Sequence, residues 1–324
     1  MPASRIAATA PEPDRIGGYT MGTTWSVALQ ASGTDLHVLH ACAQNVLDGI
    51  VARMSHWEAA SDLCRYNRAP PGWVDLPADL VEVLACALDI ARDSGGAFDP
   101  TLGELATLWG FGPQGAVAAR PAADALADAR ARAGWQRLRL DRAGARAYQP
   151  GGLRLDLSAI AKGYAVDRVA DALRARGMQS LLVEVGGELR GIGSRPDGAP
   201  WRVLVETGQE RDDDACEPDV LALDGLAVAT SGDAWHRHRI DGRDHAHTLD
   251  PSTGAPRADA PMAATVLAPD AMRADAWATA LSVVSRERAL SLAEAVGLGL
   301  RLVERMPDGL QITRNAAFEA QLCS

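Results

Sequence analysis

The stretch that most constrains the fold of this chain runs from residue 153 to residue 193. Leucines alternate over residues 153–157 as in a β-strand. Apolar residues then recur at helical spacing: Ile160, Val166, Val169, Ala170 and Leu173. Ser158 is a favourable N-cap residue for this helix, and Gly177 suits a left-handed cap after its last turn. With a further strand over residues 180–185, the pattern predicts a strand, a helix and a strand.

An acid and a base lie near the N-terminus of the predicted helix. Asp156 directly precedes the helix, and Lys162 lies about one and a half turns into it. A helix N-terminus attracts anions through its free N–H groups and its dipole. Asp156 is therefore expected to cap the helix, to bind a sugar hydroxyl or to face a cation. Gly186-Gly187 sharply ends the second strand, just before Glu188.

Composition narrows the possible functions. The 324 residues are 47% apolar, enough for a large core, and the net charge of −10 with no basic stripe argues against a nucleic-acid partner. Five scattered cysteines without a C-x-x-C pair favour a reducing compartment. The N-terminus lacks an apolar signal segment, and no apolar run reaches the ~18 residues of a membrane span. We therefore expect a cytoplasmic protein without membrane insertion.

Periodicity along the rest of the chain predicts a mixed fold. Helical spacing marks residues 36–54, 77–94, 121–133, 269–285 and 286–295. Strand patterns mark residues 19–30, 201–206, 263–267, three short strands within 135–155, two within 220–229, and hairpins over 240–249 and 300–313. Residues 55–67 and 209–219 are expected to be irregular, and residues 230–233 a turn.

Short strands in antiparallel-looking groups, with helices between them, favour an α+β architecture with mostly antiparallel sheets and packed helices over a doubly wound sheet. Residues 1–16 are expected to form a mobile N-terminus. No linker is evident after it, so residues 17–324 are expected to form a single intertwined domain.

Three clusters carry residues suited to chemistry. Asp275 and Thr279 lie one helical turn apart, and an acid and a hydroxyl on one face suit a hard cation such as Mg²⁺. A solvent-facing Asp with a back-bonded Thr explains the same spacing. The other clusters are Asp156 with Lys162, and the segment 245–251 around His247. The glycines and aromatics of residues 97–113 indicate either close backbone approach to a planar ligand or a tight packed connection.

Competing motifs fit less well. His236-x-His238 and His245-x-His247 place paired imidazoles as in a zinc site, but no cysteine or third spaced histidine accompanies them. The G-x-G-x-x-G dinucleotide fingerprint and the phosphate-binding G-x-x-x-x-G-K-[ST] loop are both absent.

Six segments in order resemble the pattern of the ApbE family, the FAD:protein FMN transferases. They are Met21-Gly22-Thr23; Ser61-Asp62-Leu63 through Asn67; Phe98-Asp99-Pro100-Thr101-Leu102-Gly103 with Leu108-Trp109-Gly110-Phe111-Gly112; Asp156-Leu157-x-x-Ile160-Ala161-Lys162-Gly163-Tyr164-Ala165-x-Asp167; Gly186-Gly187-Glu188; and Ala229-Thr230-Ser231-Gly232-Asp233 with His247-x-x-Asp250-Pro251-x-Thr253-Gly254 and Ala274-Asp275-x-x-Ala278-Thr279. Each segment is weak alone, whereas the ordered set is specific.

The resemblance implies a T-fold-like ApbE architecture, FAD as the donor substrate and Mg²⁺ as the cofactor. It implies transfer of the FMN moiety of FAD onto a Thr or Ser of a target flavoprotein, with release of AMP. The acceptor is expected to carry a short Ser/Thr-Gly-Ala type segment. The implied metal ligands are Ala159, Asp275 and Thr279, and the implied catalytic residue is His247. The implied FAD contacts are Met21, Trp57, Gly103, Glu104, Leu105, Asp156, Lys162, Thr248 and Leu249.

The residue types suit this chemistry and leave two alternatives open. Mg²⁺ would neutralise charge on a pyrophosphate, Lys162 would supply a point charge near it, and neutral His247 is suited to act as a base near pH 7. Water in place of the acceptor hydroxyl would give an FAD pyrophosphatase that releases FMN and AMP. A flavin-binding carrier without chemistry is the third reading.

Overall fold

The structure is a computed structural model that describes residues 12–31, 33–205, 218–232, 237–240, 243–257, 261–307 and 309–323. The helices are α1 (Leu36–Met54), α2 (Asp62–Arg68), α3 (Ala78–Asp93), α4 (Gly103–Leu108), α5 (Ala123–Arg132), α6 (Ala161–Arg174), α7 (Ala271–Ser282), α8 (Arg286–Ala295) and α9 (Ala316–Glu319). The first strands are β1 (Asp14–Thr20), β2 (Thr23–Leu29), β3 (Gly72–Asp75), β4 (Arg139–Asp141), β5 (Arg146–Gln149), β6 (Leu181–Val185), β7 (Glu188–Ile192), β8 (Trp201–Val205) and β9 (Asp219–Leu223). The remaining strands are β10 (Ala227–Gly232), β11 (Arg237–Ile240), β12 (Arg243–Ala246), β13 (Leu249–Asp250), β14 (Ala255–Pro256), β15 (Ala263–Ala268), β16 (Gly299–Met306) and β17 (Gly309–Arg314).

A long antiparallel sheet organises the molecule. Its strand order is β1-β2-β6-β7-β10-β15-β16-β17, and every pair in it is antiparallel. Smaller antiparallel sheets are β3-β5-β4, β8-β9, β11-β12 and β13-β14. The prediction of an α+β fold with mostly antiparallel sheets is confirmed.

The long sheet is covered on both faces. On β2, Val27 belongs to the main core that also contains residues of α1, α6 and α7. Its neighbour Ala28 points to the opposite face, because side chains alternate along a strand. There it packs with a second apolar cluster that includes Trp201 of β8 and Phe318 of α9. Burial on both faces makes the sheet a rigid platform for the residues at its edge.

Helices α6 and α7 pack against each other on the sheet. Hydrogen bonds to the N-terminus of α7 fix this contact. The Asp270 side chain accepts a hydrogen bond from the N–H of Arg273 at the start of α7. Asp167 of α6 accepts from the N–H groups of Ala271 and Met272 at 3.0 and 2.9 Å, which satisfies two further free donors of that helix end. The position of α7 relative to α6 is therefore set by hydrogen bonds as well as by packing.

Several elements differ from the sequence predictions. The strand expected over residues 19–30 is the hairpin β1-β2, because Met21 and Gly22 both have positive φ, 49° and 74°, and turn the chain. Residues 14–16 pair with residues 27–29, so the sheet extends into the segment that was expected to be mobile. Residues 1–11 lie outside the described residues.

Three further corrections concern short elements. Residues 55–67, expected to be irregular, contain the start of α2, which Ser61 caps by accepting from the N–H of Cys64. Residues 135–155 form a 3₁₀ turn followed by β4 and β5, and not three strands. Residues 230–232, expected to be in a turn, continue β10. The predicted acidic loop lies outside the described residues up to residue 217, and Asp219 begins β9.

Candidate active site

A cavity of about 310 Å³ opens where the start of α6, the middle of α7 and the segment around residues 247–251 meet. Of the sequence-predicted site residues, it brings together Asp156, Ala159, Lys162, His247, Thr248, Leu249, Asp275 and Thr279. The two ends of this set are 123 residues apart in the chain (279 − 156). The fold therefore assembles the three chemical clusters of the sequence at one place.

Asp156 lies in the turn that leads into α6. Its N–H donates to the carbonyl of Pro100 at 2.9 Å, and its Oδ1 accepts from the N–H and the hydroxyl of Ser158 at 2.9 and 2.7 Å. Ser158 does not cap the helix as the sequence predicted, because α6 begins only at Ala161 and Ile160 occupies the N-cap position without a side-chain bond. The turn places the Ala159 residue against the cavity.

Asp275 projects from α7 toward the start of α6. It is 6% exposed, and its Oδ2 accepts from the N–H of Gly163 at 3.0 Å. Burial raises the pKa of Asp275 above its usual range, while Lys162 and the Gly163 N–H act in the opposite direction. A carboxylate in this setting favours a nearby positive charge.

Lys162 and Glu188 form the main ion pair of the cavity. The Nζ atom of Lys162 lies 2.5 Å from Oε1 of Glu188, which is almost wholly buried. Burial alone would lower the pKa of Lys162, but the carboxylates of Glu188 and Asp275 outweigh it, so the pKa is raised. Burial also raises the pKa of Glu188, with the Asp275 charge adding to the effect and Lys162 opposing it.

A second cavity of about 270 Å³ adjoins the first, and Ala106 and Asp156 line both. Trp57 and Gly103, two further predicted contact residues, line this second cavity. The Trp57 side chain is 60% exposed, which leaves a ring face open to a ligand. Two joined cavities suit an elongated ligand with two distinct ends.

Three predicted contact residues line neither cavity. Met21 forms the turn between β1 and β2 and packs against the main core. Glu104 makes an ion pair with Arg154 at 2.9 Å. Leu105 is buried in a cluster with Trp109 and Leu249.

Some residues of the quoted motifs hold the site together through contacts that the sequence did not reveal. The side chain of Asn67 donates to the carbonyl of Leu155 and accepts from its N–H, at 2.9 and 2.8 Å, and so fixes the extended segment before Asp156. Asp99 accepts from Thr101 and from the N–H of Trp135, which makes its turn a packed connection. The indole of Trp109 donates to the carbonyl of Gly254 at 2.9 Å. The sequence shows these polar side chains, but it does not show their partners, most of which lie far away in the chain.

The chemistry of the donor set fits Mg²⁺. Asp275 would supply a carboxylate, Thr279 a hydroxyl and Ala159 a backbone carbonyl, all of them hard oxygen ligands at one cavity. Among the described residues, no group of three or more His, Cys, Asp or Glu side chains is arranged to hold a metal ion. For the alternative zinc pairs, His236 is outside the description and only the backbones of His238 and His245 are described.

A carboxylate suited to a cation, a lysine and a histidine line one cavity. Such a set of side chains suits an enzyme that acts on a phosphate-bearing ligand. The chain belongs to the ApbE family, whose model matches residues 21–301. A relative from Haemophilus influenzae named FAD:protein FMN transferase is 33% identical over 315 residues, which cover 94% of this chain and 90% of that one. A Klebsiella pneumoniae relative of the same name is 32% identical over 99% of this chain and 92% of its own length.

Solved structures agree with this family assignment. The Pseudomonas stutzeri flavinyl transferase ApbE, in its apo form, matches with a TM-score of 0.88 and 38% identity, covering 98% of each chain. The flavin transferase ApbE from Vibrio cholerae matches with a TM-score of 0.88 and 32% identity, over 96% of this chain and 99% of that one. The protein is an enzyme. Within the described residues, no helix has the length and apolar character needed to cross a membrane.

Proposed function

We propose that the protein transfers the FMN moiety of FAD onto a Thr or Ser hydroxyl of a target flavoprotein, in a Mg²⁺-dependent reaction that releases AMP. The observation that carries the proposal is the meeting of Asp275, Thr279, Lys162 and His247 at one cavity. The names of the relatives, FAD:protein FMN transferase and flavin transferase, support transfer of FMN from FAD to a protein.

Five residues of the cavity have a role in this proposal. Asp275, Thr279 and the Ala159 carbonyl would hold Mg²⁺, which when bound supplies positive charge to the pyrophosphate. Lys162 would bind a phosphate oxygen through its ammonium group. His247 would accept the proton of the acceptor hydroxyl as that oxygen bonds to the phosphorus of the FMN phosphate and the bond to the AMP oxygen breaks. The second cavity would hold one end of the dinucleotide, with Trp57 stacked on a ring.

The acceptor is proposed to present its hydroxyl in a short Ser/Thr-Gly-Ala type segment. The chain itself contains a similar segment at residues 252–255, but Pro251 beside it lines the cavity and the Gly254 carbonyl is held by Trp109. We therefore interpret this segment as a wall of the site. The cytoplasmic location stays a prediction from the sequence.

The direct test is intact mass spectrometry of a candidate acceptor incubated with the enzyme, FAD and Mg²⁺. We expect an FMN-sized mass increase on the acceptor, equimolar AMP and no increase on the enzyme. Steady release of free FMN with no labelled protein would instead indicate a pyrophosphatase. Binding of FAD without any turnover would indicate a carrier.

FAD is expected to bind more tightly than FMN, because FMN lacks the adenosine that would extend along the joined cavities. Isothermal titration calorimetry measures both affinities. Trp57→Ala should weaken FAD binding by about 10-fold or more, as loss of an aromatic stacking partner does. Trp73→Ala is the matched control, since Trp73 is also partly exposed but lines neither cavity. Equal affinities for FMN and FAD would contradict this arrangement.

His247→Ala is expected to slow flavin transfer by about 10²- to 10⁴-fold, the usual loss on removing a general base. FAD affinity should change little, because the proposed role concerns the acceptor proton. The measurement is the single-turnover rate of acceptor labelling with FAD saturating. The exposed His37 on α1 provides the control, His37→Ala, which should keep the wild-type rate. A His247→Ala enzyme that transfers at the wild-type rate would exclude this role.

A further inference from the structure

Glu188 carries a carboxylate oxygen for which the fold offers no donor. The residue is 2% exposed and lines the first cavity. Its Oε1 lies 2.5 Å from Nζ of Lys162. Its Oε2 is equally buried and meets no hydrogen-bond donor in the described part of the chain. One oxygen of this group is thus paired within the protein, and the other is a buried acceptor without a donor in a residue that lines the cavity.

The backbone holds Glu188 firmly in this place. Glu188 is the first residue of β7 and pairs with Val185 across the two-residue turn Gly186-Gly187, whose φ angles are 59° and 99°. A Cβ atom on Gly186 would lie 2.8 Å from Cγ2 of Thr23 and 3.3 Å from Cδ of Lys162, so only glycine fits there. Farther along, β7 also pairs with β10. The carboxylate therefore sits on a paired strand and is tied by Lys162.

The ion pair with Lys162 involves Oε1 of Glu188 and does not explain why Oε2 is buried without a donor. A buried carboxylate oxygen without a donor costs stability, and the cost is larger for a charged group than for a neutral one. Glu184 on β6 shows the contrast: its Oε1 accepts from the N–H of Gly187 at 2.9 Å and its Oε2 from the hydroxyl of Ser26 at 3.3 Å. The unpaired oxygen of Glu188 therefore suits a binding site in which the ligand supplies the hydrogen-bond donor.

The chemistry of the proposed substrate narrows the choice of donor. The pyrophosphate of a dinucleotide carries no N–H or O–H group at neutral pH and is repelled by a carboxylate. Lys162, next to Glu188, attracts it instead. The groups adjacent to the phosphates on either side are sugars, whose hydroxyls are neutral donors. A carboxylate beside a phosphate-binding lysine is thus placed to meet a sugar hydroxyl.

We propose that Oε2 of Glu188 accepts a hydrogen bond from a sugar hydroxyl of the bound dinucleotide, on the ribityl chain or on the ribose. The inference rests on the proposed function, because it takes FAD as the ligand of this cavity. It assigns Glu188 a substrate-binding role in addition to its pairing with Lys162.

Phosphate-free fragments separate this contact from the charge of Lys162. Riboflavin carries the ribityl chain, and lumiflavin has the same isoalloxazine ring with a methyl group in its place; adenosine carries the ribose and adenine does not. The variants are Glu188→Gln and Glu188→Met. Glu188→Gln replaces the carboxylate with a neutral amide that can still form hydrogen bonds, and Glu188→Met removes hydrogen bonding at similar side-chain volume. Dissociation constants come from flavin fluorescence and from calorimetry on the full chain. Binding of FAD to the wild-type enzyme is measured first, and its absence would refute the proposed function itself.

With FAD binding established, Glu188→Met is expected to weaken riboflavin or adenosine binding by about 10- to 100-fold, the range for a hydrogen bond to a charged group. Glu188→Gln should give a smaller loss, and lumiflavin and adenine should bind as they do to the wild type. A loss for riboflavin identifies the ribityl chain, and a loss for adenosine identifies the ribose. Unchanged riboflavin and adenosine binding would overturn the inference, as would equal losses for lumiflavin and adenine, which indicate a distorted cavity.

A control variant and a fallback measurement separate the proposed contact from indirect effects. Glu184→Gln also removes a carboxylate that acts on Lys162, but from a residue whose oxygens have protein partners, so riboflavin and adenosine affinities should not change. If they fell as much as in the Glu188 variants, the effect would come from local charge and the inference would fail. If Glu188→Met does not fold, Glu188→Gln with the paired ligands still decides the question.

Discussion

Asp275→Asn is expected to reduce Mg²⁺-dependent flavin transfer by about 10⁴-fold, which corresponds to roughly 5 kcal/mol of lost transition-state stabilisation. The substitution removes the carboxylate charge from the proposed metal-ligand set while keeping the volume of the side chain. The asparagine carbonyl can still accept the hydrogen bond from the Gly163 N–H that Asp275 accepts at 3.0 Å. Activity should therefore be lost without loss of the fold.

The experiment measures transfer rates over a Mg²⁺ titration, with thermal unfolding of the same samples. We expect the wild type to saturate with Mg²⁺ and Asp275→Asn to stay near background at every concentration. Asp171→Asn changes an exposed acid on α6 and should leave both rate and Mg²⁺ dependence unchanged. Zn²⁺ should substitute poorly, because the proposed ligands are oxygens. Wild-type turnover and Mg²⁺ dependence in Asp275→Asn would show that the metal is held elsewhere.

Local periodicity was enough to predict the parts of this site that lie on one element. Asp275 and Thr279 share a helix face by their spacing alone, and both line the cavity. The helix and the second strand of the central stretch also follow from the spacing of apolar residues. These features depend on neighbours within one or two turns, which the sequence displays directly. The first strand, predicted over residues 153–157, is wrong: that segment makes only a single bridge to other residues that the structure describes, between Arg154 and Leu102.

The remaining features depend on partners distant in the chain. Asn67 fixes Leu155 across 88 residues, and nothing in the local pattern identifies that partner. Glu104, an FAD contact implied by the family resemblance, makes an ion pair with Arg154, which the local pattern does not reveal. Ser158 was predicted to cap α6, but its hydroxyl donates to Asp156 in the preceding turn and the helix begins only at Ala161. In each case a tertiary hydrogen bond or a competing local one decides the outcome, as Asp and Ser side chains often do near helix ends.

Gly163 is the clearest instance of a residue whose importance only the tertiary structure reveals. A glycine inside a helix normally destabilises it by roughly 0.5–1 kcal/mol relative to alanine. Here a Cβ atom would lie 2.1 Å from the carbonyl oxygen of Ala271 and 2.8 Å from Cβ of Asp275. The absence of a side chain is what lets α6 and α7 approach closely enough for the Gly163 N–H to reach Asp275.

Gly163→Ala is therefore expected to destabilise the protein by about 3 kcal/mol or more, since overpacking against backbone atoms cannot be relieved by a side-chain rotation. Gly49→Ala on α1 is the matched control, because a Cβ there meets only the Arg53 side chain at 3.6 Å. The control should raise stability by roughly 0.5–1 kcal/mol, the ordinary helical preference for alanine over glycine. Urea unfolding of both variants measures these free energies, and Mg²⁺-dependent transfer measured on the folded fraction reports the site. Because the added methyl group must push α7 away from α6, Gly163→Ala should also lower transfer in molecules that remain folded. A Gly163→Ala protein as stable and as active as the Gly49→Ala control would show that the two helices do not meet at this glycine.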